Sequence, residues 1–224
     1  MLNLHLLECT LKGYGHISDL LLAKYWVITG CKYPLCNSLV TINIPQGVKI
    51  RGSNPFFDSH NVKFSGPLAT EDGKSLVIDG KLISFSPGTT DLISYIIPEG
   101  ITSIGMDAFR GCDNLTYVEL PESLIDIVRN PFTVCPRLTF GGKFASADGR
   151  YLVKDGVLIS FSPGTYQYYT PIEYVVPEGI TSIGDYAFYN CFCLKSITLP
   201  KSLLSVGNFA FANILWLYRR TCCK

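Results

Sequence analysis

Short runs of apolar and β-branched residues recur along the chain at a regular spacing. A strand that recurs about every 20 to 23 residues is typical of a solenoid, in which each turn buries its apolar side against the neighbouring turns. The pattern therefore predicts about nine stacked turns in a single elongated molecule. The nine runs that fit a strand are Ile42–Ile44, Val62–Phe64, Leu82–Phe85, Tyr95–Ile97, Val118–Leu120, Leu138–Phe140, Leu158–Phe161, Tyr174–Val176 and Ile197–Leu199.

Alternation within a run predicts which side chains enter the core, because successive side chains of a strand point to opposite faces. In the best-defined run, Leu194, Ile197 and Leu199 are expected to point inward. The intervening Ser196 and Thr198 are expected to point outward. A proline ends this strand, since proline cannot donate a hydrogen bond to a sheet.

Two octets occur twice, and their duplication indicates scaffold rather than a site that is built once. The octet LISFSPGT occupies 82–89 and 158–165, and PEGITSIG occupies 98–105 and 177–184. The larger unit restarts at Cys36, Cys112 and Cys191. We therefore expect a solenoid over 36–213, preceded by a degenerate segment or partial repeat at 1–35 and followed by an irregular tail at 214–224.

Asp-Gly pairs lie between two apolar runs at Asp79-Gly80 and at Asp155-Gly156. This pattern predicts β-hairpins inserted among the repeat turns, with two-residue loops that need positive φ at both central residues. Gly105 and Gly184 precede the Ala-Phe pair of their turns. Their expected role is backbone freedom at a corner of the solenoid.

A cysteine follows a phenylalanine by three residues at Cys112, Cys135 and Cys191. Serine takes the equivalent position at Ser59, and isoleucine takes it at Ile214. A position that accepts these three residue types is a small buried packing position, so we expect free thiols rather than disulfides or metal ligands.

Composition narrows the possible functions. The 224 residues are 47% hydrophobic and 17% charged, with a net charge of +1, so no basic surplus favours nucleic acid. No apolar stretch approaches the roughly 20 residues that a membrane-spanning helix needs. The N-terminus has no basic region ahead of its apolar residues, and no signal peptide is expected. No catalytic constellation emerges, and no cofactor or metal ion is expected.

The complete repeat pattern resembles that of the BspA-like leucine-rich repeats of bacterial and protozoan surface proteins. The resemblance covers 36–213, and it implies a mainly β, right-handed leucine-rich-repeat solenoid with parallel strands, short helical turns and inserted β-hairpins. It also implies a surface or secreted location and adhesion to host or neighbouring-cell proteins. The pattern falls on Ile183, Gly184, Ala187, Phe188, Cys191, Leu194, Ile197, Leu199, Pro200, Leu203 and Val206.

Outward positions that differ between the copies are the candidates for partner contact, because copied positions are scaffold. The partner is expected to be a protein of the host extracellular matrix or a surface protein, and the chain is expected to be a monomer or part of a longer array. The alternative is a structural spacer of a larger surface protein, without binding of its own. The candidate residues are Tyr117, Glu119, Ser196, Thr198 and the cluster Tyr166, Tyr168 and Tyr169.

Overall fold

The computed structural model describes residues 27–29, 41–44, 46–51, 54–57, 59–88, 92–163 and 171–214. Within these residues the secondary structure is strands and turns, without a helix, and hence without a helix able to cross a membrane. The strands are β1 (Val27–Thr29), β2 (Thr41–Asn43), β3 (Lys49–Arg51), β4 (Lys63–Ser65), β5 (Ser75–Ile78), β6 (Lys81–Phe85), β7 (Ser94–Ile96), β8 (Ser103–Ile104), β9 (Tyr117–Leu120), β10 (Asp126–Ile127), β11 (Thr139–Gly142), β12 (Tyr151–Lys154), β13 (Val157–Phe161), β14 (Ile172–Val175), β15 (Ser182–Ile183), β16 (Leu194–Thr198) and β17 (Ser205–Val206).

Each turn of the solenoid contributes a strand to a first parallel ladder and a strand to a second one, where β8, β10, β15 and β17 are only two residues long. The first ladder contains β2, β4, β7, β9, β11, β14 and β16, which gives seven turns. Nine turns were predicted because the runs at Leu82–Phe85 and Leu158–Phe161 fit the period. These two runs are β6 and β13, which belong to the hairpins and pair with second-ladder strands β8 and β15. The connections expected to be short helical turns are successions of hydrogen-bonded turns.

The two hairpins are built into the stack. Strand β5 pairs antiparallel with β6, and β12 pairs antiparallel with β13. At each hairpin the first ladder is interrupted, so its strands form three sheets in the part of the chain that the structure describes: β2-β4, β7-β9-β11 and β14-β16. The second ladder is divided at the same places, into β1-β3, β5-β6-β8-β10 and β12-β13-β15-β17, so each hairpin begins a new sheet of that ladder.

The hairpin loops have the predicted positive φ at both central residues, which makes them mirror images of the common turn type. The φ angles are 51° at Asp155 and 76° at Gly156, with matching values at Asp79 and Gly80. Replacing Gly156 with valine is expected to lower the free energy of unfolding by about 1 kcal/mol or more, because a β-branched residue resists positive φ. The new Cβ would also lie 2.8 Å from the Thr181 hydroxyl oxygen. Chemical denaturation checks the loss, and Asp155→Asn is the control, since asparagine tolerates this conformation.

Stacked phenylalanine rings run through the core from turn to turn. Phe109 lies between Phe85 and Phe132, with ring centroids 4.6 Å and 4.9 Å apart. A second column has Phe188 between Phe161 and Phe211, at 4.7 Å and 5.2 Å. Both central rings are fully buried. The phenylalanine of the repeat pattern is therefore the residue that joins each turn to its neighbours.

Gly105 and Gly184 serve a different purpose from the one predicted. Neither has positive φ, so their role is not backbone freedom. A Cβ at Gly105 would lie 3.2 Å from the Leu82 carbonyl oxygen, and one at Gly184 would lie 3.1 Å from that of Leu158. Glycine is needed there because the chain passes close to the backbone of the hairpin strand.

The residue before the cysteine position adopts positive φ in successive turns, and Val134 is an unfavourable residue there. Its φ is 61°, whereas the equivalent positions hold Gly111, Asn190 and Asn213. Val134→Asn is therefore expected to raise the free energy of unfolding by about 1 kcal/mol. The reverse change in another turn, Asn190→Val, should lower it by a similar amount. Urea denaturation of both variants measures these changes. If both variants changed the free energy of unfolding in the same direction, the positive φ would not be what makes valine unfavourable here.

The cysteine position is buried and reduced, as predicted. Cys112, Cys135 and Cys191 are free, and so is the neighbouring Cys193. The Cys135 thiol donates a hydrogen bond to the Phe109 carbonyl oxygen at 3.0 Å. A hydrogen bond in which the Cys112 thiol donates to Cys135, together with burial, raises the pKa of the Cys112 thiol.

These thiols are expected to make the folded state less stable at alkaline pH. Burial raises the pKa of Cys191, so this thiol stays protonated in the folded state. An unfolded thiol ionises near pH 8.5, so above that pH the unfolded state binds fewer protons and the free energy of unfolding falls, by up to about 1.4 kcal/mol per pH unit and per thiol. Urea titrations at about pH 7.5 and about pH 9.5 measure this loss. Cys191→Ala should reduce it, and an identical loss would contradict the assignment.

Candidate interaction surface

The predicted outward residues of the central sheet lie in register on its solvent face. Tyr117 pairs with Ser94 on one side and with Thr139 on the other. Glu119 pairs in the same way with Ile96 and Gly141. Val118 and Leu120 point into the core and are buried. Strand alternation therefore separates the scaffold from the surface as the sequence predicts.

Tyr117 and Glu119 form a hydrogen-bonded pair along strand β9. The Tyr117 hydroxyl donates a hydrogen bond to the Glu119 carboxylate. A Cβ at Gly141 would overlap both the hydroxyl and the carboxylate. Glycine on the neighbouring strand therefore provides the space in which this pair lies flat, and Gly141 is a part of the surface that the sequence analysis missed.

Ile96 is the second residue that the sequence analysis missed. Its side chain is 71% exposed although its neighbours Tyr95 and Ile97 are buried. Alternation along this strand could have revealed it, because Ile96 stands between two inward positions. Ile93, ahead of the same strand, is 61% exposed. Two exposed isoleucines thus lie at the edge of the sheet that carries the Tyr117–Glu119 pair.

Ser196 and Thr198 lie on a different sheet. They are exposed on β16, whose partner is β14, and this sheet is separate from β7-β9-β11. Beside them, Lys195 Nζ lies 2.9 Å from a Glu173 carboxylate oxygen. The structure therefore does not bring the two predicted pairs onto one continuous sheet.

Leu199 departs from the inward position that was predicted. It is 41% exposed, whereas Leu120 at the equivalent position is 2% exposed. Leu120 is followed in the stack by β11, while β16 is the last first-ladder strand among the described residues. The cluster Tyr166, Tyr168 and Tyr169 lies outside the described residues.

Charged and sulfur-containing side chains do not converge into a metal site in the described ranges. No group of three or more His, Cys, Asp or Glu residues there is arranged to hold an ion. The charged pairs are spread along the surface; Lys154 Nζ, for example, lies 3.1 Å from Asp126. Within the described residues, the charged side chains therefore form separate surface pairs and no metal-binding group.

Comparison with known proteins settles the family of this repeat. The model of the BspA-type leucine-rich-repeat region matches residues 84–140 and 160–219, in six copies. The chain belongs to the BspA-type leucine-rich-repeat family. Among curated proteins, none matches the chain significantly.

Solved structures of bacterial leucine-rich-repeat proteins resemble this BspA-type chain. A leucine-rich cell surface protein from Faecalibacterium prausnitzii is 26% identical, with a TM-score of 0.52, over 80% of this chain and 46% of that protein. The pneumococcal vaccine antigen PcpA is 20% identical, with a TM-score of 0.48, over 78% of this chain and 48% of the antigen. The chain thus spans about half the length of each of these two structures.

Proposed function

We propose that this BspA-type chain is a non-enzymatic protein-binding module of a cell-surface or secreted protein, which adheres to host or neighbouring-cell proteins. The observation that carries the proposal is the outward face of β7-β9-β11, defined here as the central face: Ile96, Tyr117, Glu119 and Gly141. An exposed apolar side chain stands there beside an aromatic residue held in place by a hydrogen bond. Similarity to a leucine-rich cell surface protein supports the location.

The central face has the features of a binding hot spot. Aromatic residues contribute much contact area with little loss of side-chain entropy, and Tyr117 is already ordered by Glu119. Preorganisation lowers the entropic cost of association. Glu119 is replaced by Thr198 at the equivalent position of the second unit, so it can distinguish one turn from the other, whereas Ile96 has a similar exposed counterpart in Val175.

The experiment measures binding of the chain to an immobilised extracellular-matrix protein extract. Ile96→Ser combined with Tyr117→Ala should weaken binding about thirtyfold, which corresponds to about 2 kcal/mol at a hot spot. Gly141→Ala should weaken binding without removing either side chain, because its Cβ displaces the Tyr117–Glu119 pair. Ile125→Ser is the matched control, since Ile125 is 66% exposed but stands beside the second ladder.

The tyrosines of 166–169 are part of the same proposal. Tyr166, Tyr168 and Tyr169 have no counterpart in the first unit, so they can mark this unit for a partner. Binding by the variant in which all three tyrosines are changed to alanine is compared with binding by Lys154→Ala, a change in the hairpin. If the hairpin change abolishes binding and the tyrosine changes do not, these tyrosines are not contacts. If no matrix protein binds at all, the protein-binding proposal fails and the structural-spacer alternative is favoured over adhesion to proteins.

A further inference from the structure

Three aromatic side chains form a partly exposed cluster at a corner of the solenoid, away from the central face. We name Tyr186, Tyr189 and Phe209 the corner cluster. The rings of Tyr186 and Phe209 stack with centroids 5.3 Å apart and planes 20° apart. Tyr189 meets Tyr186 edge-on, with centroids 5.5 Å apart. Phe209 is 62% exposed, so the end of this stack is open to solvent.

The backbone holds two of these aromatic residues in an unfavourable conformation. The φ angles are 60° at Tyr186 and 54° at Phe209. The equivalent residue of an earlier turn is Asp107, with φ 58°, and aspartate tolerates this conformation far better than a bulky aromatic residue does. Burial does not explain the aromatic residue at 209, which is mostly exposed. The turn imposes positive φ in each of these copies, so the feature that remains unexplained by the scaffold is the choice of an aromatic residue at 209.

Polar side chains border the corner cluster on two sides. On one side Asp185 accepts a hydrogen bond from the Asn208 backbone N–H at 2.7 Å, and its other oxygen lies 3.5 Å from Arg129 Nε. On the other side Asn213 Nδ2 donates to the Tyr189 hydroxyl at 3.3 Å and to Asn190 Oδ1 at 3.0 Å. These contacts join the aromatic rings and the polar groups into one surface.

We propose that the corner cluster binds a neutral carbohydrate. A sugar ring presents an apolar C–H face, which suits an open aromatic ring, and a rim of hydroxyls that both donate and accept hydrogen bonds. Asparagine amides and a carboxylate beside the ring match such a rim. The Arg129–Asp185 pair cancels its own charge, which favours a neutral ligand over a sulfated one. Amide and carboxylate groups can each make more hydrogen bonds than those described, and an apolar protein surface would leave that remaining capacity unused.

This site is independent of the proposed protein-binding role, because it shares no residue with the central face. Either surface can fail its test without affecting the other. The central-face variants should therefore leave carbohydrate binding unchanged.

The test titrates the whole chain with chitohexaose, cellohexaose, mannohexaose and a heparin hexasaccharide by isothermal titration calorimetry. At least one neutral hexasaccharide should bind, and the heparin fragment should not. Tyr186→Asn and Phe209→Asn should each weaken binding about tenfold or more. Both variants should keep or raise the melting temperature, because asparagine tolerates positive φ, as Asn190 and Asn213 do.

Three outcomes would overturn the proposal. The first is that no neutral hexasaccharide binds at concentrations up to about 10 mM, well above the range of weak specific binding. The second is binding that Tyr186→Asn and Phe209→Asn leave unchanged. The third is that these variants abolish capture of a matrix protein while no sugar binds. Ile125→Ser again serves as the exposed apolar control, and its sugar affinity should equal that of the unmodified chain.

Discussion

Truncation of Phe188 to alanine is expected to lower the free energy of unfolding by about 3–5 kcal/mol, because the surrounding turns cannot collapse onto the cavity. The ring is fully buried and stacks on Phe161 and Phe211 at the same time. Loss of the ring therefore weakens two interfaces between turns. In a solenoid, where stability is a sum of such interfaces, the damage should spread beyond one turn.

Chemical denaturation of the variant measures this loss, and the neighbouring turn offers a matched control. Phe209→Ala removes the same atoms from a ring that is 62% exposed. Its effect should stay below about 1 kcal/mol, as is usual for surface changes. If the two variants lost equal stability, the stacked column would not be what holds the turns together.

The core around Phe188 could be predicted because the signal for it is local. The pattern places Phe188, Cys191 and Leu194 at fixed spacing, and all three are buried. The hairpin loops were equally local, since an Asp-Gly pair specifies its own turn. At these positions a few neighbouring residues decide the geometry, and sequence and structure agree.

The number of turns could not be predicted from spacing alone. The runs 82–85 and 158–161 have the period of a first-ladder strand, yet they join the second ladder. Spacing gives the length of chain between strands, whereas pairing depends on which edge the chain reaches after the hairpin. That choice is made by contacts distant in sequence, as the pairing of Leu82 with Ile104 illustrates.

The candidate surface was likewise predictable where local sequence decides it, and unpredictable where distant contacts do. Alternation was enough to place Tyr117 and Glu119 outside. The space that Gly141 leaves for them was not visible, because it comes from the neighbouring strand. The separation of Ser196 from Tyr117 was also hidden, since the break between β11 and β14 results from an insertion between them. Gly105 was assigned the wrong role for a related reason, because its close neighbour, Leu82, belongs to another turn.

Asn130 is expected to contribute strongly to the stability of the fold through its buried side chain. Its side chain is 3% exposed and bridges segments 56 residues apart, donating to the Tyr186 carbonyl oxygen at 2.8 Å. The side-chain amide oxygen of Asn130 accepts a hydrogen bond from the Phe132 backbone N–H at 3.0 Å. This bridge spans the second hairpin, where the first ladder is broken. Asn130→Ala should therefore cost about 3 kcal/mol, because it leaves two backbone groups without their partner.

The first unit provides an internal replicate of this bridge. Asn54 is equally buried and donates to the Asp107 carbonyl oxygen at 3.0 Å, while it accepts the Phe56 N–H at 2.8 Å. Urea denaturation of Asn54→Ala should thus show a loss similar to that of Asn130→Ala. Asn208→Ala, at an exposed asparagine, should change stability by about 0.5 kcal/mol or less. Equal stability of all three variants would mean that the sheets hold across each hairpin without the asparagines, and that backbone pairing alone supports the stack.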